Sequence, residues 1–357
     1  MKFFDAHCDT VLAVQAGTHD FITGWGTGQV SLPGMISAGV CAQVFACFIL
    51  SREWPGAERA AAVETIEAIH ALAERSDGRM QIALDSKCLR GACDGGPIAA
   101  IVALEGADPL EGDHRALRAF HAIGVRSLIP AWEDNAFSGT AFGSNTSLTV
   151  EGEKLIALCE ELRIAVDVSH LSDRAFDRTM EITRHPVIAS HSNARAICPS
   201  SRNLTDDMIR RLADRGGVLG INLSSDFLDP AFLERERIVW DKYMHASTSA
   251  TNEELYEAEV AALRRPDDKW IARHVVHAID VGGEDCVGIG GDLDGTASIP
   301  QGIETVGDYP HIADLLADAG IGSRQIEKVC YRNFLRVFCD ILPSRSSKRA
   351  RPPAATA

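Results

Sequence analysis

The feature that most constrains the fold is an alternation of short apolar runs with longer segments of helical periodicity. Eight runs rich in aliphatic and β-branched residues occur in order: Phe3–Asp5, Val40–Ile49, Ile98–Leu104, Val125–Ile129, Ala165–Val168, Val187–Ala189, Val218–Asn222 and Val287–Gly290. Helical patterns lie between most of them, at Ala57–Arg75, Arg115–Ile123, Glu151–Arg163, Asp173–Thr183, Thr205–Asp214 and Lys269–Val281. Strands that alternate with helices form parallel sheets, because the helix returns the chain to its starting edge. Eight repeats over roughly 290 residues predict an α/β fold, a (β/α)8 TIM-type barrel.

A doubly wound open sheet is the structural alternative. That fold usually has a Gly-rich turn after its first strand, whereas here the turn is His-Cys-Asp-Thr, so the barrel is preferred. We predict one barrel domain over residues 1–342. A long insertion at about 224–268 is predicted to form a lid or wall of the site, or an oligomer contact. Residues 343–357 are rich in Ser, Arg, Pro and Ala and predict a disordered tail.

Charge and composition exclude some classes of partner. With 46% hydrophobic and 24% charged residues, the chain has the composition of a folded globular protein. Its formal net charge of −15 argues against a nucleic-acid partner, since a phosphate backbone needs a basic surface. No apolar run approaches the roughly 20 residues of a membrane span, and Asp5 and His7 interrupt any export signal. We therefore predict a cytoplasmic protein with no membrane partner, in which the ten cysteines are reduced.

Histidine and acidic residues collect where the predicted strands end. In a (β/α)8 barrel the carboxyl ends of all the strands open onto one face, which carries the catalytic groups. Such residues follow five of the predicted strands: His7 and Asp9, Glu105, Asp167 and His170, His191, and Asp292 and Asp294. A single histidine at a strand end is more often a hydrogen-bonded structural residue than a ligand. Five such ends together predict a site for zinc or a related divalent ion.

Other residues lack this pattern of placement. His7 and Asp9 are two positions apart, so they face one side of an extended chain while Cys8 faces the other and is expected to pack. His274 and His277 lie three apart on a predicted helix outside the barrel, where we expect packing or surface roles. The remaining histidines are expected to be structural: His19, His70, His114, His121, His185, His245 and His311.

Short segments in a fixed order carry a family resemblance. They are DAHCD at 5–9, ALEG at 103–106, VSH at 168–170, SHSN at 190–193, SRNL at 201–204, GIGGDLDG at 288–295 and NFLRVF at 333–338. In these segments the sequence resembles the renal (membrane) dipeptidase family, zinc peptidases of the amidohydrolase superfamily. The resemblance extends from Phe4 to about Phe338. No single segment is specific, but their order and spacing together are.

The resemblance implies a metal-binding role for five residues. His7 and Asp9 would hold one zinc ion, and His170 and His191 would hold the other. Glu105 would bridge two Zn²⁺ (or related divalent) ions, together with a hydroxide. Two cations that share a water lower its pKa and supply a hydroxide near neutral pH.

It also implies an activity, the hydrolysis of a dipeptide amide bond. Asp292 matches the family's acid/base residue, which takes a proton from the water and passes it to the leaving amine. Arg202 matches the residue that pairs with the terminal carboxylate of the substrate, a task that suits a guanidinium. Without the family, Arg202 would be an ordinary surface arginine. A homodimer is a further expectation from the family.

The chain departs from the family pattern at Trp132. Family members usually carry a histidine shortly after the fourth strand that helps to polarise the scissile carbonyl. The alignment of Gly124–Asn135 puts Trp132 at this position, and we expect Trp132 and Asn135 to contact substrate. An indole N–H donates one hydrogen bond but cannot become cationic. Trp132 substitutes weakly, or the metal holds the oxyanion, or the substrate differs.

Two other functions therefore stand beside the dipeptidase. One is a related amidohydrolase that acts on a non-peptide amide, an N-acyl amino acid, a lactam or an ester. The other is a non-enzymatic binding protein on a retained barrel. A non-enzymatic protein would be expected to have lost some of the metal-ligating residues, whereas all five of them and the acid Asp292 are present in this sequence.

Overall fold

The computed structural model describes residues 1–243 and 250–344. The chain divides into two compact units, one of residues 1–40 and 189–334 and the other of residues 41–188 and 335 onward. His245 and almost all of the predicted tail at 343–357 lie outside the described residues. The prediction of a single domain over residues 1–342 is not decided by this division and stays a prediction.

Eight strands in the described part of the chain correspond one by one to the eight predicted. They are β1 Phe3–Cys8, β2 Val40–Phe48, β3 Ile98–Glu105, β4 Val125–Ile129, β5 Ala165–Val166, β6 Ile188–Ala189, β7 Val218–Ile221 and β8 Val287–Ile289. The β1 strand is three residues longer than predicted and is buried throughout. The strand continues through His7 although this residue is polar, because the His7 side chain is itself buried.

The helices follow the predicted order, with more of them than the periodicity indicated. They are Thr10–Gln15, Leu32–Ala38, Glu58–Arg75, Ser86–Cys93, Leu117–Ala122, Val150–Leu162, Asp173–Ile182, Asp206–Asp214, Ser225–Leu228, Pro230–Tyr243, Ala250–Ala261, Lys269–Gly282, Tyr309–Asp318, Ser323–Glu327 and Asn333–Ile341. Thr149, Ser172 and Thr205 each cap a helix by accepting a backbone N–H three residues ahead. Among the described helices, none combines the length and the apolar character needed to cross a membrane.

In the unit of residues 41–188, four parallel strands lie in the order β5, β4, β3, β2. A short strand, Met80–Ile82, also pairs with β3. Phe48 is in register with Glu105, which is in register with Ile129, so the carboxyl ends of these strands meet at one edge. Every residue of β3 is buried, as expected of a parallel strand covered on both faces.

This unit also corrects the prediction of ten reduced thiols. Cys41 at the start of β2 forms a disulfide with Cys93 at the end of the helix Ser86–Cys93, with Cα atoms 5.0 Å apart. Their separation of 52 residues hides this pairing in the sequence, since only the crossing of helix and strand brings them together.

In the unit of residues 1–40 and 189–334, the strand order is β1, β8, β7, β6 and β1 runs parallel to β8. A small antiparallel hairpin, His19–Asp20 with Trp25–Gly26, stands apart from this sheet. Parallel strands that alternate with helices in both units are the architecture of a (β/α)8 TIM-type barrel, and the predicted fold class is confirmed.

The predicted insertion at 224–268 is largely helical. It contains Ser225–Leu228, Pro230–Tyr243 and Ala250–Ala261, and the last two pack through a cluster of Phe232, Val239 and Val260. Its role as a lid, wall or oligomer contact stays a prediction.

A glycine in β8 allows the helix Asn333–Ile341 to pack closely against the strand. A Cβ at Gly288 would collide with the ring of Phe334, which stacks on Phe4 with ring centroids 5.7 Å apart. We expect Gly288→Ala to lower the free energy of unfolding by about 1–3 kcal/mol through overpacking. Chemical denaturation measures the change. Gly91→Ala is the control, since a Cβ there meets nothing within 4 Å, and an equal loss in both variants would contradict the packing argument.

Candidate metal and catalytic centre

Two imidazoles and a carboxylate converge in the unit of residues 1–40 and 189–334. One donor atom each of His7, His191 and Asp292 lies within 4.8 Å of the other two. The rings of His7 and His191 have centroids 3.8 Å apart, and His7 Nε2 lies 3.9 Å from Asp292 Oδ1. His7 and His191 are each only 1% exposed. These side chains come from the ends of β1, β6 and β8, which the sequence predicted to meet.

Asp9 joins this cluster. Its Oδ2 lies 3.4 Å from His7 Nε2, as expected of residues two apart at the end of a strand. A Cβ at Gly295 would collide with carboxylate oxygens of both Asp9 and Asp292, so any larger residue there would have to displace these two side chains. Cys8 is fully buried, and burial raises the pKa of its thiol, which agrees with a packing role.

The cluster has the chemistry of a divalent-metal site. Zinc takes imidazole nitrogen and carboxylate oxygen, and burial of several carboxylates is unfavourable without a compensating positive charge. Ser190 Oγ lies 2.7 Å from His191 Nδ1, so a hydrogen bond at Nδ1 would orient the ring and direct Nε2 toward a ligand. The residues therefore fit a bound cation.

The loop after β8 is held by buried hydrogen bonds. Asp5 accepts the N–H of Gly291 at 2.8 Å and the hydroxyl of Tyr309 at 2.7 Å. Asp292 has a left-handed backbone, with φ of 56°, and donates its N–H to the His7 carbonyl at 3.2 Å. Asp294, which the sequence also offered as a site acid, instead accepts the N–H of Gln29 at 2.6 Å. The carboxylate of Asp294 thus ties loops together.

The unit of residues 41–188 contributes a second pair of predicted ligands. His170 Nε2 lies 3.0 Å from Glu105 Oε1, and both side chains are buried. Glu105 is the last residue of β3. The Trp132 ring lies beside them, with centroids 5.8 Å from His170 and 5.0 Å from Phe48. The pair places a second carboxylate and imidazole in contact, both of donor types that zinc takes.

Asn135 is occupied within its own loop. Its Nδ2 donates to Asp108 Oδ2 and to the Pro130 carbonyl, each at 3.1 Å. Its Oδ1 accepts the N–H of Phe137 at 2.9 Å and that of Ser138 at 3.2 Å. These bonds account for a structural role in the loop, and a contact with substrate stays a prediction.

Arg202 is not a surface arginine. It is 3% exposed, and its guanidinium donates to the His191 carbonyl at 3.2 Å and to Ser192 Oγ at 3.4 Å. It also lies over the ring of Phe227, 5.4 Å from the centroid. A buried guanidinium beside a histidine of the cluster has the location that an anchor for an anionic group requires.

The histidines on the helix Lys269–Gly282 have structural roles, as expected. His274 is fully buried, with Nδ1 3.1 Å from the Ala194 N–H and Nε2 3.0 Å from the Leu228 carbonyl. Burial lowers the pKa of His274 to about 4. His277 pairs with Asp206 at 2.8 Å.

One functional candidate was missed in the sequence. Asn222 follows β7 and donates from Nδ2 to Asp292 Oδ2 at 2.8 Å. The position of Asn222 directly beyond a strand end is the available signal, but an amide does not belong to the pattern of histidines and acids that indicates a metal site.

Comparison with known proteins identifies the family. The sequence profile described as membrane dipeptidase (peptidase family M19) matches residues 1–350. The chain belongs to this family. A Klebsiella pneumoniae protein, uncharacterized and encoded in the pqqA 5′ region, is 31% identical over 278 residues, covering 76% of this chain and 92% of that protein. Human dipeptidase 3 is 27% identical over 91% of this chain, which spans 61% of its length.

Solved structures agree with this assignment. A metallopeptidase from Rhodobacter sphaeroides, liganded with a phosphinate mimic of the dipeptide L-Ala-D-Ala, has a TM-score of 0.82 and 26% identity. The match covers 96% of this chain and 99% of that one. The structure of a metallopeptidase called dipeptidase AC has the same TM-score with 27% identity, over 96% and 99% of the two chains.

The cluster predicts which histidines hold metal. We expect His191→Ala to lower the metal content of the purified protein, because it removes an imidazole from the group of His7, His191 and Asp292. Elemental analysis after dialysis against zinc-containing buffer measures the content. His277→Ala is the matched control, since that ring pairs with Asp206 instead. Equal metal content in both variants would contradict the assignment.

Proposed function

We propose that this protein is a zinc-dependent dipeptidase that hydrolyses the amide bond of small peptides. The observation that carries the proposal is the buried group of His7, His191 and Asp292 in a chain of the membrane dipeptidase family. The dipeptide mimic bound to the Rhodobacter sphaeroides relative supports a substrate of this size.

The five predicted ligands would hold two zinc ions. His7 and Asp9 would bind one ion, His170 and His191 the other, and Glu105 would bridge both. The separation of 3.4 Å between His7 Nε2 and Asp9 Oδ2 supports their binding to one ion. The separation of 3.0 Å between His170 Nε2 and Glu105 Oε1 supports their binding to the other. When bound, the two ions would lower the pKa of a water molecule, so that a nucleophile for the amide carbonyl is available near neutral pH.

Asp292 and Arg202 would serve the reaction at two different points. Asp292 would accept the proton of the water at its carboxylate and deliver it to the leaving amine, so that the amine departs neutral. Asp292 Oδ1 lies 3.9 Å from Nε2 of His7, and a carboxylate this close to a proposed metal ligand supports the role. Arg202 would pair with the terminal carboxylate of the substrate and so orient the amide bond.

Trp132 favours a second candidate, an amidohydrolase that acts on a non-peptide amide, an N-acyl amino acid, a lactam or an ester. Its indole beside His170 and Phe48 makes an apolar wall that would accept an acyl chain. A panel of dipeptides and N-acyl amino acids separates the two candidates. Turnover of N-acyl amino acids alone would favour the second.

Several properties stay predictions. They are a cytoplasmic location, a homodimer and the absence of nucleic-acid and membrane partners.

Asp292→Asn is expected to lower kcat on dipeptides by on the order of 10² to 10⁴, because an amide cannot carry the proton. Metal content should remain that of the wild type. Asp268→Asn is the control, since that carboxylate pairs with His311 at 2.6 Å. Wild-type turnover by Asp292→Asn would remove Asp292 from the mechanism.

Arg202→Lys is expected to raise KM for dipeptides roughly 10- to 100-fold, because an ammonium cannot form the bidentate pair with a carboxylate. Steady-state kinetics on a dipeptide and on its C-terminal amide measure this effect. The wild type should favour the free carboxylate and the variant should lose that preference. A preference that survives the substitution would exclude Arg202 as the anchor.

A further inference from the structure

Three fully buried asparagines form a continuous hydrogen-bonded group beside the metal cluster. We call Asn193, Asn203 and Asn222 the asparagine network; each has an exposed fraction of 0%. Asn203 Oδ1 accepts the N–H of Asn193 at 3.1 Å, and Asn193 Oδ1 accepts the N–H of Asn222 at 3.1 Å. Asn193 Nδ2 also donates to the carbonyl of Asn222 at 2.9 Å. The network therefore joins the loops after β6 and β7.

The orientation of the Asn222 amide is fixed by its neighbours. Its Oδ1 accepts the N–H of Ser224 at 2.6 Å, and a backbone N–H can only donate. The NH₂ group must therefore face the other way. There Nδ2 donates to Asp292 Oδ2 at 2.8 Å and to the His191 carbonyl at 3.4 Å.

This bond sets the rotation of the Asp292 carboxylate. With Oδ2 held by Asn222, Oδ1 is turned toward the cluster, 3.9 Å from His7 Nε2. A hydrogen bond to an ionised acceptor is stronger than a neutral one, and burial removes competition from water. A carboxylate held in this way needs no reorientation before it takes a proton.

The same network reaches the substrate anchor. Asn203 follows Arg202 in the chain, and Asn203 Nδ2 donates to the carbonyl of Phe227 at 2.9 Å. Arg202 lies over the ring of that phenylalanine, 5.4 Å from its centroid. Asn193 Nδ2 donates to the same carbonyl at 3.1 Å. The anchor and the proton-transfer group thus share one buried frame.

We propose that Asn222 is a positioning residue that acts through Asp292, with the asparagine network holding it in place. This inference rests on the proposed function, since it assumes that Asp292 moves the proton. Asn222 itself touches neither substrate nor metal in this scheme. Its removal should lower kcat and leave KM and metal content unchanged.

The test is a double-mutant cycle on dipeptide hydrolysis. Asn222→Leu preserves side-chain size and removes the donor, and we expect kcat to fall about 10- to 100-fold, the range for loss of a hydrogen bond to a charged group. In the Asp292→Asn background the same substitution should lower kcat by no more than about twofold, because the group it serves is already absent. An equal fall in both backgrounds would overturn the proposal.

Two further variants guard against a purely structural effect. Asn333→Leu is the matched control, because Asn333 is a buried amide that donates to the carbonyls of Glu284 and Val287 at 2.8 Å, away from Asp292. We expect that variant to lose stability and to keep kcat. If Asn222→Leu does not fold, Asn222→Ala removes the donor to Asp292 without adding bulk or a second carboxyl group beside it. It should show the same loss, and wild-type kcat in Asn222→Ala would overturn the proposal.

The results of these measurements distinguish failure of the proposed dipeptidase function from failure of the role of Asn222. If the wild type hydrolyses no dipeptide, or Asp292→Asn is as active as the wild type, the proposed function fails. If Asp292→Asn loses activity while Asn222→Leu retains wild-type kcat, only the role of Asn222 fails.

Discussion

A buried carboxylate needs hydrogen-bond donors or a cation to offset its charge, and this requirement determines how the loops after β1 and β8 are arranged. Asp5 lies within β1, and Asp9 and Asp292 lie just beyond the ends of β1 and β8; all three are buried, where water screens their charge poorly. Asp294, which is half-buried, follows in the loop after β8. Asp5 and Asp294 are satisfied by backbone N–H groups and hydroxyls. Asp9 and Asp292 instead face His7, an arrangement that calls for a bound cation. Loop shape and metal chemistry thus follow from one electrostatic requirement.

Much of this was predictable because parallel strands leave a strong pattern. The bounds of β4, Val125–Ile129, are those predicted, since an uninterrupted apolar run between turns has few alternatives. Strand ends in a barrel open to one face, so histidines and acids at five strand ends indicate a site from the sequence alone. His7, His191 and Asp292 do meet, as that argument requires.

What the sequence could not supply depends on contacts between distant segments. The burial of Arg202 results from packing on Phe227 and on the loop after β6, and no local pattern distinguishes it from a surface arginine. Asn222 matters through an orientation that Ser224 imposes, and the disulfide of Cys41 and Cys93 joins residues 52 apart. Such features are set by tertiary geometry and not by periodicity.

The left-handed backbone of Asp292 has a consequence for mutagenesis and for sequence variation. At a φ of 56° a Cβ is disfavoured by contact with the backbone, and asparagine, aspartate and glycine tolerate that region best. An alanine at this position would remove the carboxylate and strain the main chain together. The activity lost on substitution with alanine would therefore overstate how much the carboxylate contributes to catalysis. In a random library selected only for folding, we would still expect few residue types at this position.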